Sequence, residues 1–121
     1  MAAITTQQRD EILVVSFSDN KILDSQRIEQ IGRELHDVAT QTDSKKLLIN
    51  FQGVSFMSSA MITKLVTLNK LCRAQGVNLK FCDVSPNVME VFKITNLNKM
   101  FDIQEGQDKA LASFDKKGWF S

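Results

Sequence analysis

Two runs of consecutive aliphatic residues constrain this chain more than any other feature, Ile12-Leu13-Val14-Val15 and Leu47-Leu48-Ile49. A strand that alternates polar and apolar residues can leave one face in water. One without that alternation must be covered on both faces. Both runs are far shorter than the ~18 apolar residues a membrane span needs. They therefore predict strands over residues 12–17 and 46–51, the second of them central in a sheet. Residues 5–9 predict a short edge strand ahead of the first.

Between the strands the period of the pattern changes. Ile28, Ile31, Leu35 and Val38 recur at three- and four-residue spacing, with Arg33, Glu34 and Asp37 on other faces. This predicts an amphipathic helix of about four turns, capped by Asp24 or Ser25. A second helix is expected over residues 59–74. On a helical wheel Met61, Ile62, Leu65, Val66, Leu68 and Cys72 share one arc, opposite Thr63, Lys64, Thr67 and Lys70, and Gly76 marks the end. A strand over residues 78–82 follows. Ser85-Pro86 then opens a third helix with apolar positions Val88, Val91, Phe92 and Ile94 or Thr95. A short strand near residues 101–103 and a helix over residues 107–114 complete the series. Strands alternating with helices predict an α/β sheet with right-handed crossovers.

Several chemistries find little support. Fifteen basic residues oppose fourteen acidic ones, and the largest basic clusters are the pairs Lys45-Lys46 and Lys116-Lys117. Nucleic-acid binding is usually announced by a denser basic patch, so no direct nucleic-acid contact is expected. The five glycines are scattered, without the clustering that lets backbone approach a phosphate. The sole histidine, His36, sits on a helix flank, and Cys72 and Cys82 read as small buried hydrophobes. No cofactor, metal or catalytic base is indicated, so the chain is not expected to be an enzyme. A phospho-receiver reading fails on Asn50 and Gln52, which stand where an acceptor aspartate belongs. The start Met1-Ala2-Ala3-Ile4-Thr5 lacks a secretory pattern. A cytoplasmic protein without membrane contact is expected.

What remains is the pair Ser58-Ser59, just after a buried strand and at the head of a helix. Serines there serve as caps. The same place also suits a phosphate, since free N–H groups and the positive end of the helix dipole stabilise an anion. The run Leu47-Leu48-Ile49-Asn50-Phe51, then Val54-Ser55-Phe56-Met57-Ser58-Ser59-Ala60, resembles the central signature of STAS domains, the anti-sigma factor antagonists. Their pattern is an aliphatic strand, a short turn, and Asp-Ser-Ser/Thr-Gly-Leu-Gly opening a helix. Ile22-Leu23-Asp24, Cys82-Asp83-Val84-Ser85-Pro86, residues 91–97 and Phe101-Asp102-Ile103 also resemble family segments in order. Against the pattern, Ser58 is read in place of the usual aspartate and Met61-Ile62-Thr63 in place of Gly-Leu-Gly.

The resemblance implies a STAS-like domain over residues 1–121, with a four- to five-stranded mixed sheet and about four helices. Its core spans about residues 5–114, and residues 115–121 form a short tail. It also implies phosphorylation of Ser59 by a partner that is both anti-sigma factor and serine kinase. The unphosphorylated form would bind this partner and free the sigma factor, and the phosphate would abolish binding. Asp24, Ser58, Met61, Thr63 and Lys64 are the implied contacts, although Met61, on the apolar arc, reads more as core than as contact and Asp24 reads equally as a cap. The aromatic tail Trp119-Phe120 is read as packing on the body or binding a partner. The alternative function is an unphosphorylated scaffold, as a subunit of a transporter or a multi-protein signalling assembly. A small enzyme or nucleotide-binding domain is a more distant rival.

Overall fold

The structure, a computed structural model, describes residues 2–116. The order is β1 (Ile4–Arg9), β2 (Ile12–Phe17), β3 (Lys21–Ile22), α1 (Ser25–Gln41), β4 (Lys46–Asn50), β5 (Phe56–Met57) and α2 (Ser59–Gln75), followed by β6 (Asn78–Cys82), α3 (Pro86–Ile94), β7 (Ile103–Gln104) and α4 (Gln107–Lys116). A 3₁₀ turn, Leu97–Lys99, follows α3. The main sheet runs β1-β2-β4-β6-β7; β1 is antiparallel to β2 and the remaining pairs are parallel. The α/β class and five-stranded mixed sheet agree with the expectation. Among the described residues no helix is long and apolar enough to cross a membrane.

The doubly apolar strands are covered as their composition demands. Successive parallel strands are added in one direction, so crossovers of constant hand place their helices on one face. There Val15, Leu47, Ile49, Leu79 and Phe81 pack with Ile28, Ile31 and Leu35 of α1, Met61, Leu65 and Leu68 of α2, and Val88 and Phe92 of α3. On the other face Ile12, Val14, Leu48 and Cys82 pack with Ala110 and Phe114 of α4. A line of phenylalanines runs through the larger core, with ring centroids at 5.2 Å for Phe17–Phe51, 5.1 Å for Phe51–Phe81 and 4.7 Å for Phe81–Phe101.

Three details differ from the sequence reading. Val88 and Phe92 are buried, but Val91 and Ile94 of the expected apolar face of α3 are exposed. The helix has nine residues, and its core-facing side is Val88 and Phe92, with the partly buried Met89 beside them. Lys80 is buried on the α4 side of β6. Its ammonium lies 2.9 Å from Asp102 and 5.2 Å from the centre of the Phe114 ring, which offsets part of its desolvation cost. Asn50 is buried because its amide donates to Gln107 Oε1 at 2.7 Å and its carbonyl accepts from the Gln52 N–H at 2.7 Å. It thereby fastens the head of α4 to the end of β4. The Trp119-Phe120 tail lies outside the described residues.

Glu34 on α1 ties down the beginning of the chain, accepting from the Ala3 N–H at 3.1 Å and the Ile4 N–H at 3.2 Å. Burial alone would push its carboxyl up. The amides of Ala3 and Ile4, the Gln30 side chain and the Arg27 charge outweigh that and hold it below its ordinary 4.5. A carboxylate depressed in the folded state stabilises it above the unfolded value, and this stabilisation is lost as pH falls through the folded one. Glu34→Gln is therefore expected to lower the urea midpoint at neutral pH. It should also flatten the acid limb of midpoint against pH below about pH 5, measured by fluorescence or circular dichroism.

Candidate functional site

The heads of α1 and α2 lie side by side because two very short strands are joined. β3 and β5 pair in parallel, Lys21 with Phe56 and Ile22 with Met57, and the Ser58 N–H continues the ladder to the Ile22 carbonyl at 3.0 Å. Two residues beyond the Ile22–Met57 rung stand Asp24 and Ser59. Nothing in the local pattern of Lys21-Ile22 or Phe56-Met57 announces this pairing, which is made across 35 residues.

Each head is capped by its own side chain. Asp24 is the cap of α1; its carboxylate accepts from the Arg27 N–H at 2.9 Å. Ser58 is the cap of α2, in extended conformation, its hydroxyl accepting from the Met61 N–H at 3.4 Å. Ser59 is then the first helical residue. It is exposed, and among the described residues its hydroxyl takes part in no hydrogen bond. The division of labour is clear: Ser58 caps one of the free N–H groups of the helix end, and Ser59 is left uncommitted.

Thr63, one turn along, is also exposed and donates its hydroxyl to the Ser59 carbonyl at 3.1 Å. Lys64 is more enclosed than expected. Its ammonium pairs with Glu29 of α1 at 3.0 Å, leaving the side chain 30% exposed. Its stem lies over Gly32, where an added Cβ would come within 3.0 Å of Lys64 Cδ. Lys64 is thus a brace between α1 and α2 that keeps one charged end at the surface.

Met61 requires a correction. It is 0% exposed and packs in the core beneath the helix, so it is not available as a contact for another protein. The register of the family pattern needs correcting too. With Ser58-Ser59 as the serine pair, the residue in the aspartate position is Met57, not Ser58. Gly-Leu-Gly then falls on Ala60-Met61-Ile62. Met57 and Met61 both pack inward, and Ile62 is buried as well. The bulk that replaces the small family residues therefore sits mostly inside, while Ala60 keeps the exposed first turn small.

The sequence reading missed Leu23 and Phe56. Leu23 follows β3 and is 56% exposed; Phe56 lies in β5 and is 47% exposed, with the Lys21 ammonium 5.7 Å from its ring centre. They flank Asp24 and Ser58 and give that end of the molecule an apolar rim. The available signal was their position outside any helix or strand period, beside the capping residues. Other reactive groups offer less. Burial pushes the Cys72 thiol up to about 11, and burial with Asp83 pushes Cys82 up to about 12. They lie in separate cores, and among the described residues no group of His, Cys, Asp or Glu is arranged to hold a metal ion.

Comparison with known proteins places these features in context. The STAS domain family model matches residues 3–110. The Bordetella bronchiseptica protein BtrV, named as an anti-sigma factor antagonist, is 25% identical over 113 residues, covering 92% of this chain and 93% of that protein. A STAS domain protein from Planctomyces limnophilus superposes with a TM-score of 0.82 at 24% identity, covering 91% of this chain and 96% of its own. The Bacillus cell fate determinant SpoIIAA in its phosphorylated form superposes with a TM-score of 0.69 at 17% identity, covering 94% and 98%.

Replacing the α1 cap tests how the site is held. Asp24→Ala should cost about 0.5–2 kcal/mol of stability in urea unfolding, while Asp24→Asn should recover most of it.

Proposed function

This chain belongs to the STAS domain family, and from that premise we propose that it is an anti-sigma factor antagonist whose binding is switched by phosphorylation of Ser59. Unmodified, it binds a partner that is both anti-sigma factor and serine kinase, and the sigma factor is released. Phosphate on Ser59 ends that binding. The observation that carries this reading is the uncommitted, exposed hydroxyl at the first position of α2, beside an exposed Asp24 and the apolar side chains of Leu23 and Phe56. Asp24, Ser58, Thr63 and the outer end of Lys64 form the polar part of the contact. The protein acts as a single domain in the cytoplasm, through protein binding and without catalysis of its own. The likeness to SpoIIAA, a protein solved in phosphorylated form, supports a phosphate as compatible with this fold.

The physics suits a switch at the surface rather than in the fold. A phosphoserine carries ~1.5–2 negative charges at neutral pH. At the first turn of α2 those charges face unsatisfied N–H groups and the positive end of the helix dipole, which stabilise them. The folded domain therefore tolerates the modification. A partner shaped for a neutral hydroxyl does not, since mismatched charge at an interface costs several kcal/mol. A cost of about 3–4 kcal/mol weakens binding some hundreds-fold.

The test is reconstitution. The protein is incubated with ATP and each candidate kinase of its own genome, the phosphate is located by mass spectrometry, and affinity for the anti-sigma factor is measured by calorimetry. Phosphate is expected on Ser59. Ser59→Ala should bind like the unmodified protein, and Ser59→Glu should bind at least about tenfold more weakly with an unchanged or slightly raised melting temperature. Phosphate confined to other residues, or equal affinity of Ser59→Glu and wild type, would sink the switch and leave the scaffold function standing.

A further inference from the structure

The two edges of the main sheet are guarded very differently. Proteins protect an edge by keeping it short, by placing lysine or proline on it, by bulging it, or by covering it. β7, at one edge, has two residues. β1, at the other, has six. Residues 5–9 are all exposed and contain no lysine and no proline, and Arg9 is the one charge.

The hydrogen-bond pattern shows which groups this edge offers. The Ser18 N–H donates to the Ala3 carbonyl at 3.0 Å. With the register Thr5–Ser16, Gln7–Val14 and Arg9–Ile12, the odd-numbered residues of β1 are those that exchange bonds with β2. The backbone groups of Ile4, Thr6 and Gln8 therefore point outward. The Ile4 N–H is taken by Glu34 at 3.2 Å. Among the described residues nothing pairs the outward N–H and C=O groups of Thr6 and Gln8.

We propose that this edge is the self-association surface of the protein, two copies pairing β1 with β1 in antiparallel register about a two-fold axis through Gln7. Hydrogen bonding and charge make the edge complementary to a second copy of itself in that register. A parallel pairing, or an antiparallel one centred on Arg9, sets Arg9 against Arg9, and like charges directly opposite are destabilising. A register centred on Thr6 turns the Gln8 carbonyl toward the Ile4 N–H that Glu34 already holds. Centred on Gln7, Thr6 of each copy pairs with Gln8 of the other, and the outward N–H and C=O groups of Thr6 and Gln8 are satisfied in both copies. Only neutral side chains then meet at the middle, with Arg9 across from Thr5. Two five-stranded sheets become one continuous sheet of ten. This arrangement is independent of the role given to Ser59.

The register makes the test specific. At the axis, Gln7 of one copy faces Gln7 of the other as a non-hydrogen-bonded pair, with Cα atoms about 4.5 Å apart, within disulfide reach. In the full-length protein, Gln7→Cys should form a disulfide-linked dimer under mild oxidation, while Thr5→Cys, displaced from its own copy along the strand, should not. By analytical ultracentrifugation the wild type should dimerise with rising concentration. Gln7→Lys, which sets like charges at the axis, should weaken the dimer at least about tenfold. Thr6→Pro removes an outward donor and no β1–β2 bond, so it should do the same. Circular dichroism identifies variants that remain folded. A wild type monomeric at every concentration overturns the proposal, including the case in which the edge accepts a strand only from a different protein. So does a dimer unaffected by Gln7→Lys and Thr6→Pro, or equal cross-linking through residues 5 and 7.

Discussion

Leu47, Leu48 and Ile49 of the central strand are all excluded from water, and the remaining architecture follows from the need to keep them so. A strand apolar on both faces cannot stand at a water-facing surface. The chain must return over one side with α1, α2 and α3 and close the other with α4. Parallel strands joined by helices also place all the strand-to-helix connections at one end of the sheet. That is where α1 and α2 begin, and where Asp24, Ser58 and Ser59 meet. The exposed serine is thus a consequence of the buried aliphatic run before it.

The geometry at that end depends on little chemistry. Two parallel rungs between β3 and β5, extended by the Ser58 N–H, align two helix heads that are far apart in sequence. The caps then fix what each side chain is free to do. Ser58 spends its hydroxyl on the helix, and Asp24 spends a carboxylate oxygen the same way. Ser59 is left as the group whose chemistry can change without disturbing the interior. The brace from Lys64 to Glu29 over Gly32 holds the helices in contact just behind it. In the proposed switch, a charge added at Ser59 therefore acts on docking rather than on how the domain folds.

Most of the fold was legible because its signals are local or strongly periodic. The strands at residues 12–17 and 78–82 and the head of α3 at Ser85-Pro86 were read with the observed boundaries, and α2 with an end one residue short. Cap residues identify themselves by type and by the apolar run that follows. The failures have a common cause. Val91 and Ile94 share the apolar character of Val88 and Phe92, yet which of them meets the core depends on how a short helix lies on the sheet. Lys80 and Asn50 are polar residues inside, tolerable because Asp102, Phe114 and Gln107 arrive from elsewhere in the chain. Met61 stood on the apolar arc of α2, and only the packed core decided that it was unavailable at the surface. Lys64 looked exposed because Glu29 and Gly32 lie on another helix.

By itself, then, the sequence determined the α/β class, the covered central strand, the capped helices and the candidate serine. Periodicity and capping are properties of a few consecutive residues. Only the tertiary structure decided that Leu23 and Phe56 rim that serine, that Ser58 and not Ser59 is the committed hydroxyl, and that among the described residues one sheet edge is left unpaired at Thr6 and Gln8. Those outcomes depend on which distant segments lie next to one another. That is settled by the packing of both sheet faces together, and no local pattern encodes it.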